Sequence, residues 1–408
     1  MDCNGEKRAS VGHTIAALFL VAGTCIGGGM LALPVATGIN GFVPSFFLMA
    51  LCWVAMTATS LLLVEVCLWM EEEVHIITMA SRLLGVPGKL LCWLLYLFIC
   101  YASLVAYAAG GGELLADTAA HHRDIAISAH WATFFFLLAF SFVIYLGSTI
   151  VGRVNSILFV AMIIAYALLI GFGIGEVNQH LLYFCCWKGA WMAVPLLLTS
   201  FSFQTIVPSL VPYLKRDIRA LRIALIGGTL LTFVVYALWQ LLVLGIVPVE
   251  GPHSLSEALE RGIPATPFLR HHVNSLWVGA IAEFFAFFAL ATSFLGIAFG
   301  LFDFLADGLH IRKRGWGKVQ LFALLFVPTL VCVINFERIF ILAMDISGGF
   351  GDTLLNGLTP IAMVWVGRYR LGLRSSYGLL GGKAILVLLF LFFAAILAME
   401  TLSFVQSS

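Results

Sequence analysis

The sequence predicts an all-α integral membrane protein with about eleven transmembrane helices, of which the first and the sixth are broken. Hydrophobic residues make up 62% of the 408 residues and charged residues 11%, whereas a soluble domain has roughly 45–50% and about 25%. The apolar residues fall in long runs, and glycine, proline and hydroxyl residues interrupt two of these runs. This amount of charge is too small to cover a water-facing surface. Most of the surface is therefore expected to face lipid.

Each predicted span is an apolar run long enough to cross a bilayer, which takes about 20 helical residues. The first run follows Lys7 and Arg8, exceeds the core of a signal peptide and contains Pro34, so we expect it to be retained. The second run begins with Gly41 and Pro44, which is a signal for the start of a helix. The eleven predicted spans lie near 12–37, 41–69, 86–112, 130–150, 154–176, 189–212, 221–247, 273–304, 317–335, 338–366 and 383–404.

The basic residues predict the orientation of these spans. If the spans alternate in direction, seventeen of the 22 Lys and Arg residues fall on the same side as the N-terminus. Basic residues concentrate in the cytoplasmic loops of membrane proteins. We therefore expect a cytoplasmic N-terminus and, after eleven spans, a C-terminus outside the cytoplasm.

The first and sixth predicted spans contain residues that weaken a helix interior. The first contains Gly23–Gly29 and then Pro34, and the sixth contains Thr199–Thr205 and then Pro208 and Pro212. Glycine and proline cost about 1 and 3 kcal/mol relative to alanine inside a helix, while Ser and Thr hydroxyls can bond to backbone groups that an interruption leaves free. Both helices are therefore expected to break near mid-span.

The two interruptions lie five spans apart, and an odd number of spans reverses the direction of the chain. This arrangement predicts an inverted repeat with a substrate site between two broken helices. We expect one transmembrane domain over 1–408, with a first repeat near 12–176, a second near 189–366 and an extra helix near 383–404. The alternative is that the small residues only let helices pack closely.

Other classes of chemistry have no support in the sequence. Most cysteines lie inside apolar runs, where they act as small hydrophobic residues, and the histidines lie in loops or at helix ends. The pattern G-x-x-x-x-G-K-[ST] does not occur, and no basic region suggests nucleic acid. We therefore predict no enzyme, no cofactor, no metal site and no nucleic-acid partner.

Three segments carry a resemblance to a known family. Ala22–Pro34, AGTCIGGGMLALP, resembles the first helix of the hydroxy and aromatic amino acid permeases, a bacterial family with tyrosine, tryptophan and serine permeases. Thr199–Leu210 and Phe294–Phe304 resemble its sixth and eighth helices, and the eleven-helix layout fits over essentially the whole chain. Within this family, part of the amino acid–polyamine–organocation superfamily, the tyrosine and tryptophan permeases are the most similar.

This resemblance implies the leucine-transporter-like fold, with ten helices in two inverted halves plus one extra helix. It also implies secondary active import of tyrosine or tryptophan across the bacterial inner membrane, by proton symport with alternating access, which would make the C-terminus periplasmic. Many relatives have Gly-Phe-His where this chain has Ser202–Gln204, so no titratable group is present there. The alternatives are a serine or other small neutral amino acid permease, sodium coupling, and a channel or receptor.

An amino acid substrate carries two charges that the breaks could bind without charged side chains. Backbone amides at the start of a half-helix suit the carboxylate, and free carbonyls suit the ammonium group. Phe201 and Phe203 are candidates for contact with an aromatic side chain, and Gln204 for a hydrogen bond to it, although most phenylalanines of such a chain face lipid or pack. The predicted substrate-binding residues are Gly23, Thr24, Cys25, Gly27, Gly28, Gly29, Ser200, Phe201, Ser202, Phe203 and Gln204.

The coupling ion has two candidate sites. Intramembrane acids are costly and often functional, and Glu283 is the first choice for proton coupling, with Glu65, Asp345 and Asp352 as rivals. The resemblance implies a second, sodium-type site, because adjacent hydroxyls of the eighth helix help to bind sodium in the superfamily; the alternative is that they bond within their own helix. Its members here would be Thr292 and Ser293 with the carbonyls of Gly23, Ile26 and Ala289.

Overall fold

The computed structural model describes residues 9–70, 74–123, 127–273, 275–336, 339–375 and 377–407. Within these ranges every regular element is helical. Residues 274 and 338, which lie at the start of two predicted spans, and the N-terminal residues 1–8 are outside them. The predicted all-α class is confirmed.

The described part of the chain forms seventeen α-helices, together with short 3-10 turns and one π-helical segment. The α-helices are α1 Val11–Cys25, α2 Gly29–Gly38, α3 Phe42–Trp69, α4 Ile76–Arg123, α5 Ala129–Leu146, α6 Ser148–Gly173, α7 Gln179–Leu182, α8 Val194–Ser200, α9 Val207–Tyr213, α10 Ile218–Ile246, α11 Leu255–Arg261, α12 Thr266–His272, α13 Leu276–Gly308, α14 Trp316–Asn335, α15 Ile339–Ile346, α16 Thr359–Tyr369 and α17 Gly382–Ser407. The 3-10 turns are Ile174–Glu176, Ala190–Ala193 and Gln204–Ile206, and the π-helical segment is Ser347–Leu358.

Among the described residues, ten segments are long and apolar enough to cross a membrane. Nine are helices, and the tenth is the bent pair of α1 and α2, whose axes differ by 55°. The remaining predicted span corresponds to Ile339–Tyr369, where α15, the π-helical segment and α16 follow without interruption. About eleven spans were predicted, and the structure has a helical counterpart for each.

The largest differences from the prediction lie at the start of the third span and in one loop. The third span was expected to begin near residue 86, but α4 begins at Ile76 and is 48 residues long. Its Gly85 has φ 73° and ψ −164°, and Pro87 follows, so a separate short helix meets the span at this kink. The loop between the seventh and eighth spans, which the sequence analysis left without structure, contains α11 and α12.

The packing of the helices places both broken spans at the centre. Helix α1 packs along α10, α2 contacts α8, and α13 packs along α4 and α6. Helix α17 lies against the π-helical segment and α16, outside the two halves. The first and sixth spans are therefore held between the second, seventh and tenth spans.

Candidate functional site at the two helix breaks

The first span breaks at Ile26–Gly28. Ile26 has an extended backbone, and its amide still donates to the Ala22 carbonyl at 2.8 Å, which completes α1. Helix α2 then starts at Gly29, with its first amides directed toward the break. The Gly28 amide donates to Ser293 Oγ at 2.8 Å, a contact with the eighth span. The predicted break is present, with α1 ending at Cys25.

The sixth span breaks at Phe201–Phe203, directly after α8 ends at Ser200. Phe201 and Phe203 have φ and ψ of −100° and 21° and of −145° and 0°, and a 3-10 turn leads into α9. Pro195 occupies the first turn of α8 and Pro208 that of α9, where the missing amide hydrogen costs nothing. The interruption of the sixth span thus lies within the Ser/Thr segment singled out in the sequence.

The two breaks lie against each other. The Ser200 hydroxyl is 3.0 Å from the Leu196 carbonyl and 3.4 Å from the Gly29 carbonyl of the opposite break. A Cβ atom built on Gly29 would lie 3.7 Å from the Ser200 Cα atom. The chain therefore brings the two unwound segments into direct contact, as an inverted repeat requires.

Glycines at the first break leave no room for side chains. A Cβ atom on Gly27 would lie 2.1 Å from Ser293 Oγ, and one on Gly28 would lie 2.7 Å from the ring of Tyr107. Tyr107, on α4, was not among the predicted residues. Tyr107 lies in an apolar span, and no sequence pattern distinguishes it there as a residue near the break.

The tyrosine hydroxyl of Tyr236, on α10, lies between the two breaks. It is 2.7 Å from the Cys25 carbonyl and 2.8 Å from the Ser200 carbonyl. These carbonyls end α1 and α8. The sequence analysis missed Tyr236 as well, because the two carbonyls meet only in the folded chain.

The predicted aromatic pair is fully buried. Phe201 and Phe203 are 0% and 1% exposed. The Phe201 ring lies edge-on to Tyr236, with ring centres 5.2 Å apart. Neither residue faces lipid, so the alternative of lipid-facing phenylalanines does not apply to them.

Gln204 points away from the break and toward the second span. Its amide nitrogen donates to the Met56 carbonyl at 3.1 Å and to Thr59 Oγ1 at 3.3 Å. Its amide oxygen accepts from the Phe203 amide at 3.0 Å. The side chain therefore connects the sixth span to α3 in this conformation.

A polar cluster joins the sixth span to the π-helical segment. The Ser202 hydroxyl donates to Asp352 Oδ1 at 2.6 Å, and the Asn356 amide donates to the same oxygen at 2.6 Å and to Ser202 Oγ at 3.0 Å. Asp352 and Asn356 are fully buried. Asp352 Oδ2 and Asn356 Oδ1 have no hydrogen-bond partner among the described residues.

The two hydroxyls of the predicted sodium-type site behave differently. Thr292 Oγ1 donates within its own helix, to the Phe288 and Ala289 carbonyls at 2.8 and 3.2 Å. Ser293 Oγ instead reaches the first break and accepts the Gly28 amide. The Ala289 carbonyl would lie 4.0 Å from a Cβ on Gly27. Ser293 and Ala289 thus lie beside the first break, whereas the Thr292 hydroxyl is hydrogen-bonded to the backbone of its own helix.

Two further predicted positions lie away from this contact. Gly23 faces α6, the fifth span, where a Cβ atom would lie 3.1 Å from the Phe159 ring. Thr24 is exposed, and its hydroxyl donates to the Leu20 carbonyl one turn earlier.

The four predicted intramembrane acids have different partners. Glu283 forms an ion pair with Arg270 at 2.8 Å, and Arg270 also binds Asp117. Glu65 binds Arg368 through both carboxylate oxygens, at 2.6 and 2.5 Å. Asp352 is bonded to the neutral Ser202 and Asn356 at the break.

The fourth acid, Asp345, is on α15. Its span packs against α17, where the carboxyl of Glu400 lies against the backbone of Gly349.

The loop that connects α10 to α13 contains a separate charged cavity of about 160 Å³. It is lined by Glu113, Asp117, Arg261, Arg270 and a stacked pair of histidine rings, His253 and His271, whose centres are 3.8 Å apart. Burial and the neighbouring His253 lower the pKa of His271. A hydrogen bond from the His253 amide lowers the pKa of the half-buried Glu257 carboxyl.

The fold and the paired breaks define a class of membrane transporters. A solved structure titled as the crystal structure of MhsT in complex with L-phenylalanine superposes over 98% of this chain and 99% of that chain, with a TM-score of 0.64 and 15% sequence identity. This similarity confirms the predicted leucine-transporter-like fold.

The chain belongs to the tryptophan/tyrosine permease family, whose family model matches residues 11–400. It is 30% identical to the tyrosine-specific transport system 1 of Haemophilus influenzae, over 92% of this chain and 93% of that protein. It is 28% identical to a tryptophan-specific transport protein of Pseudomonas aeruginosa, over 91% of this chain and 90% of that protein. The predicted family is confirmed, and the chain is a multi-pass amino acid permease rather than an enzyme.

Proposed function

We propose that the chain is a secondary active transporter that imports tyrosine or tryptophan across the bacterial inner membrane. The observation that carries this proposal is the contact between two unwound segments in the middle of the molecule. There the carbonyls of Cys25 and Ser200 converge beside the buried Phe201. The N-terminus is cytoplasmic and the C-terminus periplasmic, as the distribution of basic residues indicates.

The backbone at the breaks binds the two charges of the amino acid. The carboxylate accepts hydrogen bonds from the amides of Gly27 and Gly29 at the start of α2, where the helix dipole favours negative charge. The ammonium group donates to the carbonyls that end α1 and α8, where the dipoles favour positive charge. A zwitterion therefore needs no charged side chain at either break.

Aromatic side chains complete the substrate site. Phe201 and Phe203 are buried at the break and Tyr107 lies against Gly28, so three aromatic rings surround the unwound segments. Aromatic pairs contribute about 0.5–1.5 kcal/mol beyond the area that they bury. This favours an aromatic amino acid, and the names of the relatives in Haemophilus influenzae and Pseudomonas aeruginosa agree with it.

Protons drive the import, and Asp352 is the coupling group. The Glu283 carboxylate already has the Arg270 guanidinium as a counter-charge, whereas Asp352 is bonded to neutral groups at the sixth break. Its Oδ2 atom is buried and has no hydrogen-bond partner among the residues that the structure describes, so it is the atom on which an incoming proton would lie. An acid in direct contact with Ser202 can bias the conformation of the break through its charge.

Alternating access follows from the arrangement of the helices. Gln204 connects the sixth span to α3, the second span. Tyr236, on the seventh span, contacts the breaks of both the first and the sixth spans. The first, second, sixth and seventh spans move as one body against the other spans around the central site.

Uptake into proteoliposomes tests the whole proposal. Labelled tyrosine is measured with a pH gradient and a sodium gradient imposed separately, and each of the twenty amino acids is added as a competitor. The expected result is saturable uptake driven by the pH gradient, with competition by tryptophan. Uptake that follows only the sodium gradient would assign coupling to Ser293 and its neighbours. Competition by serine alone would show a small-amino-acid permease, and flux that does not saturate would show a channel.

A further inference from the structure

The hydroxyl of Tyr236 lies within hydrogen-bond distance of a carbonyl from each break. We infer that Tyr236 is a positioning residue, whose hydroxyl fixes the spacing of the Cys25 and Ser200 carbonyls that receive a ligand's ammonium group. This inference rests on the proposed function for the identity of the ligand. The contact itself, at 2.7 and 2.8 Å, is a property of the protein.

The Tyr236 hydroxyl has one proton to donate, whereas two carbonyl oxygens lie beside it as acceptors. A tyrosine carries one O–H donor, yet two carbonyl oxygens lie within hydrogen-bond distance of its oxygen. Tyr236, Cys25 and Ser200 are all buried. At any moment one carbonyl therefore lacks a donor from Tyr236, and a buried acceptor without a donor costs free energy. A ligand with several N–H donors supplies what is missing.

The position of Tyr236 is fixed by its own helix. Its ring is 0% exposed and lies edge-on to Phe201. One turn further along α10, Trp239 donates to the Met30 carbonyl at 2.9 Å and Gln240 donates to Thr37 Oγ1 at 2.7 Å. Helix α10 thus binds the first span on both sides of its break, and through Tyr236 it also reaches the sixth span.

Removal of the hydroxyl alone tests this role. Tyr236→Phe keeps the ring and its contact with Phe201 but frees the two carbonyls to separate. We expect the KM for uptake to rise about tenfold, which is the loss of roughly one hydrogen bond, with a smaller effect on kcat. Because the hydroxyl acts on the ammonium site, KM should rise by the same factor for tyrosine and tryptophan.

A matched control is present in the same part of the molecule. Tyr166, on α6, also donates its hydroxyl to a carbonyl of α10, that of Val235 at 2.7 Å, but it does not contact either break. Tyr166→Phe should leave KM within twofold of the unmodified protein. An equal rise in both variants, or no rise in Tyr236→Phe, would overturn the inference. So would factors that differ between tyrosine and tryptophan, since they would assign Tyr236 to the side-chain pocket.

Hydrogen–deuterium exchange separates this inference from the proposed function, because it needs no substrate. In Tyr236→Phe the amides of 22–31 and 198–206 should exchange faster together, while Tyr166→Phe leaves both segments unchanged. Unchanged exchange in Tyr236→Phe overturns the positioning role. If the unmodified protein transports neither aromatic amino acid, the proposed function fails and the exchange result still decides the role of Tyr236.

Discussion

At the scale of single residues, the three glycines of the first break are not equivalent. A Cβ atom at Gly28 would meet the rigid ring of Tyr107 at 2.7 Å, whereas one at Gly29 would meet the flexible end of Met344 at 3.2 Å. The Met344 methyl group can move by a few tenths of an ångström. The Tyr107 ring is packed in the core and cannot move as easily.

This difference predicts the outcome of two neighbouring substitutions. Gly28→Ala should abolish uptake of labelled tyrosine, since the methyl group displaces Tyr107 from the first break. Gly29→Ala should retain at least about half of the uptake, because only the end of a methionine has to move. Both proteins should reach the membrane in normal amounts, measured by immunoblot of the membrane fraction. Normal uptake by Gly28→Ala would remove the first break from the substrate site.

The two helix breaks were predicted from the sequence because residue type alone signals them. The signals are the glycines of the first break and the Ser/Thr segment of the sixth break, because glycine and hydroxyl residues at mid-span weaken a helix. Tyr107, Tyr236 and Asn356 could not be predicted. Each contacts a break through a residue that is distant in sequence.

At the scale of elements, the π-helical segment Ser347–Leu358 is the part of the tenth span that contacts the sixth break. π-Helical turns are rare and frequently occur at functional sites. Here the segment presents Asp352 and Asn356 to Ser202. The sequence predicted a span in this region, but it gave no sign of the wider helix, since Gly348, Gly349 and Gly351 are equally compatible with a kink.

Substitution of the acid tests its role in coupling. Asp352→Asn should lose uphill accumulation of tyrosine under a pH gradient but retain counterflow, because exchange of bound substrate needs no net proton movement. Glu283→Gln should retain accumulation, since we assign the Glu283–Arg270 pair to structure. The reverse pattern, with coupling lost only in Glu283→Gln, would transfer the proton to Glu283.

The remaining elements show the limits of reading apolar runs. The spans were predicted because about 20 apolar residues in a row have few other uses. The helix Ile76–Leu84 before the Gly85 kink and the two loop helices α11 and α12 were missed. Helices outside the bilayer are short, and their apolar faces are too small to give a clear pattern.

At the scale of the whole molecule, one buried ion pair joins the two halves of the chain. Glu65 on α3 and Arg368 at the end of α16 are 303 residues apart in sequence and form a two-pronged contact. The side chains are 4% and 16% exposed. Arg368 also donates to the Leu379 carbonyl, just before α17, at 3.3 Å. No local pattern predicts such a pairing, and the sequence analysis therefore treated Glu65 as a candidate for coupling.

Removal of one charge of this ion pair should reduce stability much more than replacement of both charges by neutral residues. Arg368→Gln leaves the Glu65 carboxylate buried without its partner, and we expect a loss of about 3–5 kcal/mol in stability. The double variant Glu65→Gln with Arg368→Gln removes both charges and should recover most of that loss. Thermal unfolding of the purified proteins in detergent measures both. Equal destabilisation of the single and double variants would show that the charges are not coupled.

The π-helical segment of the tenth span sets how α16 is oriented relative to α15. In a π-helix each backbone bond closes over five residues instead of four, so the segment holds its residues in a register that an α-helix cannot keep. Deletion of one residue between 347 and 358 would change the rotation of α16 about the helix axis relative to α15. Arg368 would then leave the face that meets Glu65. Homologous permeases that keep this ion pair should therefore tolerate insertions and deletions in their loops far better than in these twelve residues.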